Sequence, residues 1–163
     1  MQAVPFTSVF PTTLGYIETE CQVCEAYDEQ LDASFPHPVF LSCNALWDTG
    51  AMRSTISIKV AKQLGLIATR QVKVFHADGV SIRNVYFVNI LLPNKIEVKN
   101  VPVTDGDIED TDILIGMDII SLCDFAITNS GKDTKFSFQI PSVLDIDFEN
   151  PVSTGTSNLA SMR

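Results

Sequence analysis

The chain has 163 residues and carries 20 acidic against 11 basic side chains, which gives it a formal net charge of -9. An acidic chain without a basic run argues against nucleic-acid partners, because binding to phosphates depends on Lys and Arg. The longest apolar runs, Phe87–Leu92 and Ile113–Ile120, are far shorter than the ~20 residues that span a bilayer, so no membrane partner is expected. The length fits one globular domain.

Four cysteines are spaced too irregularly for a disulfide-stapled miniprotein, which favours reduced thiols and a cytoplasmic location. Cys21, Cys24, His37 and Cys43 could in principle supply four zinc ligands. Against this, Cys43 falls inside an apolar strand pattern, and the stretch before His37 is typical of an acidic loop. The sequence therefore favours a protein without metal or cofactor.

Short alternating segments separated by turn residues predict a mostly-β domain. In chain order, the expected strands are Phe6–Phe10, Leu14–Val23, Val39–Trp47, Gln71–His76, Val80–Leu92, Ile96–Val103 and a last alternation over Phe136–Ile140. Ala77-Asp78-Gly79 predicts a tight hairpin, because Asp-Gly tolerates the positive φ angles of such turns. The acidic stretch from Asp105 to Asp110 is expected to be an exposed loop, with calcium binding as a weaker alternative.

Helix content is expected to be small. Ile58–Leu64 predicts one short helix, because Ser57 is placed to cap its first amides and Gly65 to end it. A second helical turn is expected over Met117–Leu122.

The expected organisation has three parts. Residues 1–38 form an N-terminal extension, partly strand, with two roles open: part of a dimer interface, or a propeptide. Residues 39–141 form the main domain. Residues 142–163 are polar and are expected to be a disordered tail.

The most informative segment is an apolar strand that runs into Asp48-Thr49-Gly50-Ala51. A charge at the end of a buried strand is costly unless hydrogen bonds or a function retain it. Far downstream, Ile113-Leu114-Ile115-Gly116 forms a second apolar segment that ends in glycine. A solvated Asp-Thr-Gly turn is the simpler alternative, but turn chemistry explains neither the strand before it nor the apolar segment.

These two segments, with a helix and a hairpin between them, resemble the retropepsin family of aspartic proteases. The match covers roughly Val39 to Ile127. The resemblance implies an all-β, retropepsin-like acid protease fold with one lobe per chain and one or two short helices, closed as a twofold homodimer. It also implies a free-standing cellular or bacterial enzyme that hydrolyses extended peptide or protein substrates.

By the same resemblance, roles can be assigned to individual residues. The catalytic loop is Asp48, Thr49 and Gly50. Substrate binding would involve the loop residues Trp47 and Ala51, the flap-hairpin residues His76, Asp78, Gly79 and Val80, and Ile115. Structural support would come from Ile113, Leu114 and Gly116, and from an ion pair of Arg53 with Asp118.

One catalytic motif per chain implies two chains. Aspartic proteolysis needs two carboxylates that share a proton, and no second Asp-[Ser/Thr]-Gly occurs in the sequence. The second Asp48 is therefore expected from a symmetry mate, with Phe6–Phe10 and Phe136–Ile140 as candidates for an intersubunit sheet. The alternative function is a dimeric module of the same fold that grips peptides without cutting them.

Overall fold

The computed structural model describes residues 2–27, 38–76, 79–108 and 110–149. These residues contain ten β-strands and two short helices. For residues 75 and 76 this description covers the backbone only. The elements are β1 (Val4–Phe10), β2 (Ile17–Glu25), β3 (Leu41–Trp47), β4 (Thr55–Ser57), α1 (Ile58–Gln63), β5 (Arg70–His76), β6 (Gly79–Leu91), β7 (Glu97–Gly106), β8 (Ile113–Ile115), α2 (Met117–Ile120), β9 (Asp124–Thr128) and β10 (Thr134–Ile140).

The strands form two sheets. The smaller has the order β1-β10-β9, and the larger has the order β2-β3-β8-β4-β7-β6-β5. Strand β2 also pairs with β6, so six strands of the larger sheet close into a ring, while β5 lies outside it and pairs with β6. Closure leaves no free edge on these six strands where they pair.

Two parallel pairings bring the predicted motifs together. β3 runs parallel to β8, with Trp47 opposite Ile115, so both strands end at the same place. β4 pairs parallel with β7 and antiparallel with β8. The chain that leaves β3 and the chain that leaves β8 therefore emerge side by side.

An aromatic cluster joins the two sheets. The Trp47 ring lies 5.1 Å from the Phe136 ring and 4.9 Å from the Phe138 ring, centroid to centroid. Phe125 packs 5.9 Å from Trp47. The Trp47 indole N–H also donates a 2.9 Å hydrogen bond to Thr19 Oγ1, so this buried polar group has a partner.

The mostly-β fold class is confirmed, and most predicted elements are present with small shifts of their ends. The hairpin is confirmed because β5 and β6 pair antiparallel from Arg70↔Val85 to His76↔Gly79. The first helix is capped as expected, since Ser57 Oγ accepts from the Val60 N–H at 3.2 Å. Neither β4 nor β9 was predicted from the sequence. β4 has only three residues and takes its partners from β7 and β8, far along the chain, whereas β9 pairs with its immediate neighbour β10.

The expectation for the acidic stretch is wrong at its first two residues. Gly106 lies in β7 and is buried. Asp105 is likewise in β7 rather than in an exposed loop, and it is buried. Its carboxylate accepts hydrogen bonds from the Asn84 N–H at 2.9 Å, the Asn84 side-chain amide at 2.8 Å and the Tyr86 hydroxyl at 3.3 Å. Burial first, and then the Asp105 carboxylate, raise the pKa of Tyr86, which keeps its hydroxyl a donor.

The N-terminal region contributes two strands to the sheets. β1 pairs with β10 along its whole length, from Val4↔Ile140 to Phe10↔Thr134. β2 pairs with β3 and with β6. The two segments considered for an intersubunit sheet, Phe6–Phe10 and Phe136–Ile140, thus pair with each other within one chain. The division into 1–38, 39–141 and 142–163 stays a prediction, and residues from 150 onward lie outside the described ranges.

None of the helices in the described ranges combines the length and apolar character needed to cross a bilayer.

Candidate active site

The Asp48 carboxylate lies where β3 ends. The Asp48 N–H donates to the carbonyl of Ile115 at 2.9 Å, which fixes the start of the loop against β8. The Gly50 N–H donates to Asp48 Oδ1 at 2.8 Å, so the loop holds the carboxylate that it presents. A Cβ at Gly50 would lie 3.1 Å from that same oxygen and would crowd it. Asp48 is half-buried, while Thr49 and Gly50 are exposed.

The Gly116 segment packs against the back of this loop. The Met117 N–H donates to the Ala51 carbonyl at 2.8 Å. A Cβ at Gly116 would lie 2.6 Å from the carbonyl carbon of Arg53 and 2.8 Å from its carbonyl oxygen, closer than real Cβ atoms approach backbone. Ile113 is fully buried in the strand before it, and Leu114 is half-buried. The loop and the segment therefore fit only with glycine at 116.

Ser54 is a site residue that the sequence analysis missed. It is fully buried, its N–H donates to both Asp118 carboxylate oxygens at 3.1 and 3.0 Å, and its hydroxyl donates to Asp118 Oδ1 at 2.8 Å. Ser54 Oγ also accepts from the Gly116 N–H at 3.1 Å. One serine thus joins the end of the Asp48 loop to the start of α2. No sequence signal marks it, because its partners lie more than sixty residues away.

The expected ion pair of Arg53 with Asp118 is not formed within the chain. The Asp118 carboxylate is instead occupied by Ser54. Arg53 is exposed, and across the described ranges its guanidinium has no ion-pair partner.

A cleft of about 620 Å³ lies between the Asp48 loop and the β5–β6 hairpin. Gly50, Ala51, Met52 and Arg53 line one wall, and β5 lines the other with Arg70, Val72, Lys73 and Val74. The lining begins at Gly50, two residues after Asp48.

The predicted substrate-binding residues fall in three places. Ala51 lines the cleft. Trp47 and Ile115 are buried in the core, behind the loop, so neither side chain lines this cleft. Gly79 begins β6 with φ of 132°, and Val80 beside it is 56% exposed. The His76 side chain and the whole of Asp78 lie outside what the structure describes.

Thr49 is exposed at the tip of the loop. Within the described ranges its hydroxyl makes no hydrogen bond. A loop that is otherwise fixed by hydrogen bonds therefore presents one free hydroxyl next to the Asp48 carboxylate.

The base of the hairpin is fixed to the core by a polar chain that the sequence analysis also missed. Asp105 in β7 holds Asn84 in β6 by two hydrogen bonds, and the Asn84 side-chain oxygen accepts from the Gln71 side-chain amide in β5 at 3.0 Å. This chain runs across three adjacent strands and reaches one wall of the cleft.

The residues considered as zinc ligands are not gathered into one site. Cys21 and Cys43 are register partners on β2 and β3, whereas Cys24 lies an odd number of residues further along and so faces the other side of β2. His37 lies outside the described ranges, and within them no three His, Cys, Asp or Glu side chains are grouped as metal ligands. Burial first, and then the Asp112 carboxylate, raise the pKa of Cys43 to about 12, while burial raises that of Cys24 to about 11. These thiols stay protonated at neutral pH.

The sequence and the fold were compared with those of known proteins. Residues 41–121 match the family model described as "gag-polyprotein putative aspartyl protease", a range that contains both the Asp48 loop and the Gly116 segment. No curated protein matches the sequence.

Solved structures with a similar fold include a retropepsin-like aspartic protease from Rickettsia conorii, at 16% identity and a TM-score of 0.55, covering 85% of this chain and 96% of that one. EIAV protease in complex with the inhibitor HBY-793 has 19% identity and a TM-score of 0.45, covering 68% and 92%. The retroviral protease-like domain of Ddi1 from Leishmania major has 14% identity and a TM-score of 0.43, covering 76% and 95%. The Rickettsia structure supports the fold.

Proposed function

The chain belongs to the retropepsin-like aspartic protease family, and we propose that it is a homodimeric endopeptidase whose dyad is formed by Asp48 of two protomers. The observation that carries the proposal is the geometry around Asp48. A half-buried carboxylate is held by its own loop, at the end of a buried strand, beside a cleft that can hold an extended chain.

The reaction needs two carboxylates with different roles. One acts as general base and takes a proton from the water that attacks the scissile carbonyl. The other, protonated, polarises that carbonyl and then helps protonate the leaving amine. Like charges this close do not both ionise, so the pair titrates as one coupled unit. The mechanism uses water and these carboxylates, and requires neither metal nor cofactor.

Two features of the single chain support completion by a partner. The sequence contains one Asp-[Ser/Thr]-Gly only, and in the proposed dyad the second, equivalent carboxylate comes from another copy. The free Thr49 hydroxyl, next to Asp48, is the kind of group that a twofold axis would pair with its counterpart. The partners proposed are thus a second copy of the chain and a peptide or protein substrate, and the cytoplasmic location stays a prediction.

The β5–β6 hairpin is assigned the role of flap. It forms one wall of the cleft and is fixed at its base through Asn84 and Asp105. Closing over a bound peptide would exclude water and add backbone hydrogen bonds near Gly79. The peptide would then lie as an extra strand whose alternate side chains enter pockets.

Replacing Asp48 by Asn tests the proposal. The amide has the shape of the carboxyl group but cannot act as a base, so we expect cleavage of a diverse peptide library to fall by about 10²–10⁴-fold or more. Dimerisation, measured by sedimentation, and the affinity for peptides should change little. Asp133→Asn, the same replacement at an exposed position outside the cleft, serves as the control.

The alternative function is a peptide-binding module of the same fold without catalysis. If the wild-type chain binds peptides as a dimer but cuts none of the library between about pH 4 and pH 7, the module replaces the protease. Cleavage that survives in Asp48→Asn would instead show that another group performs the chemistry.

A further inference from the structure

The cleft beside Asp48 has a charge opposite to that of the molecule. Arg53, Arg70 and Lys73 line it, and no Asp or Glu is found among the described residues that line it. The chain as a whole has 20 acidic and 11 basic residues, so a random stretch of its surface would be acidic. A cleft with three cations and no described carboxylate in its lining therefore departs clearly from the composition.

The three cations are also available to a ligand. All three are exposed, and within the described ranges none of them forms an ion pair. Arg53 in particular is left without Asp118, which Ser54 occupies. Charged groups that are not neutralised by neighbours keep their full attraction for a ligand of opposite sign.

The cations stand on both walls of the cleft. Arg53 follows directly after the Asp48 loop, and Arg70 and Lys73 lie on β5 of the hairpin. The rest of the lining includes the apolar residues Met52, Val72 and Val74. By strand alternation the Arg70 side chain shares the face of β5 that carries Val72 and Val74, whereas the Lys73 side chain projects from the opposite face. An extended peptide in this cleft would therefore meet an arginine on each wall, together with apolar side chains.

Resting on the proposed protease function, we infer that this cleft selects substrates with acidic side chains on both sides of an apolar scissile segment. In a twofold dimer each protomer supplies the same two arginines, so the preference applies to both flanks of the cut bond. Guanidinium groups suit this role, because their planar fork can bind a carboxylate through two hydrogen bonds. The specificity-determining residues are thus Arg53 and Arg70.

The test is a set of matched peptide libraries. Each has the same randomised apolar centre, and the flanking positions carry Asp and Glu, Asn and Gln, or Lys and Arg. We expect the acidic library to be cut about three- to tenfold faster than the amide library, as several exposed ion pairs would give, and the basic library to be cut most slowly. The preference should shrink as salt is raised, because exposed charges are screened.

Charge reversal identifies the residues. In the double variant Arg53→Glu/Arg70→Glu, the ratio of acidic to amide cleavage should fall by roughly tenfold. The matched control is Lys132→Glu/Lys135→Glu, which makes the same change in net charge at exposed positions outside the cleft and should leave the ratio unchanged. Circular dichroism confirms that both variants are folded.

A binding measurement separates this inference from the protease function. Fluorescent acidic and amide peptides are titrated onto Asp48→Asn, which cannot cut them. If no library is cut but acidic peptides still bind more tightly, the protease function fails and the selectivity stands. Equal cleavage and equal binding of both peptides, or a ratio that the cleft and control variants change alike, would overturn the selectivity itself.

Discussion

At the scale of one residue, Gly116 explains why the Asp48 loop can pack directly against the segment behind it. The backbone of residues 51–53 fills the space where a side chain at 116 would begin. The sequence analysis assigned Gly116 to this position by resemblance, and the structure supplies the physical reason, which is a backbone approach too close for any Cβ. Ser54 performs the complementary task through hydrogen bonds, with its amide and hydroxyl on Asp118 and its oxygen accepting from Gly116.

Replacing Gly116 by Ala should therefore displace the loop. The added methyl meets backbone 2.6 Å away, which cannot rotate aside, so we expect a loss of stability of about 1–3 kcal/mol, as overpacking typically costs. Cleavage should fall further than stability alone explains, because Asp48 moves with the loop. Chemical denaturation and peptide cleavage measure the two effects.

Gly15→Ala is the matched control, since nothing lies within 4 Å of a Cβ there. If Gly116→Ala proves as stable and as active as Gly15→Ala, the close-approach explanation is wrong.

At the scale of elements, the Asp124 carboxylate holds the segment that follows β10 against the start of β9 by hydrogen bonds. Asp124 at the start of β9 accepts from the Gln139 side-chain amide at 2.7 Å, the Ser142 hydroxyl at 2.6 Å, and the N–H groups of Val143 and Leu144, each at 3.0 Å. These hydrogen bonds, the one from Gln139 first, lower the pKa of Asp124 from 3.8 to about 2.

The lowered pKa gives a pH prediction with a definite sign. The folded state stabilises the ionised form of the Asp124 carboxyl group. This contribution to the stability of the fold is complete above about pH 4 and is lost as pH falls toward 2. Wild type should therefore exceed Asp124→Asn in Tm most clearly near neutral pH, and the difference should shrink between about pH 4 and pH 2. Thermal unfolding of both proteins across that range measures it.

Asp133→Asn, a change at an exposed carboxylate, provides the comparison for the loss of a surface charge. A Tm difference between wild type and Asp124→Asn that is constant with pH would contradict the assignment of these hydrogen bonds to the ionised group.

Some of the strands and helices could be predicted from the sequence and others could not. The hairpin and α1 were predictable, because alternation, an Asp-Gly turn and a Ser cap are local signals. The three-residue strand β4 was not, because it exists only through partners in β7 and β8. Asp105 was read as a loop residue for the same reason, since the groups that satisfy it, on Asn84 and Tyr86, lie about twenty residues earlier.

Within the site, the local sequence located the Asp48 loop. It did not show where the side chains next to the loop point or which strand lies opposite it. Trp47 is adjacent to Asp48, yet strand alternation turns its ring into the aromatic cluster, away from the cleft. The cations Arg70 and Lys73 could not be placed from sequence, because only the fold brings β5 opposite the loop.

For the whole molecule, charge opposes the proposed assembly. Two protomers at -9 each would carry -18 together, and this repulsion is strongest when little salt is present. We expect the dimer dissociation constant to fall as salt is raised from about 0.05 M to about 0.5 M, because the Debye length shrinks several-fold over that range. Sedimentation equilibrium at several salt concentrations measures it.

Lys132→Glu makes each protomer more acidic, so its dimer should need more salt to reach the same affinity. A monomer fraction that is independent of salt in both proteins would show that charge does not control association.

The ring of six strands has a consequence for how the chain could be processed. Because β2 is paired on both sides, to β3 and to β6, it is held by neighbours and not only by its covalent link to the rest of the polypeptide. β1 is paired on one side only, with β10, but along its whole length. A backbone cut between these strands and β3 would thus leave a nicked particle of two polypeptides, which separates on a denaturing gel but migrates as one species in native buffer.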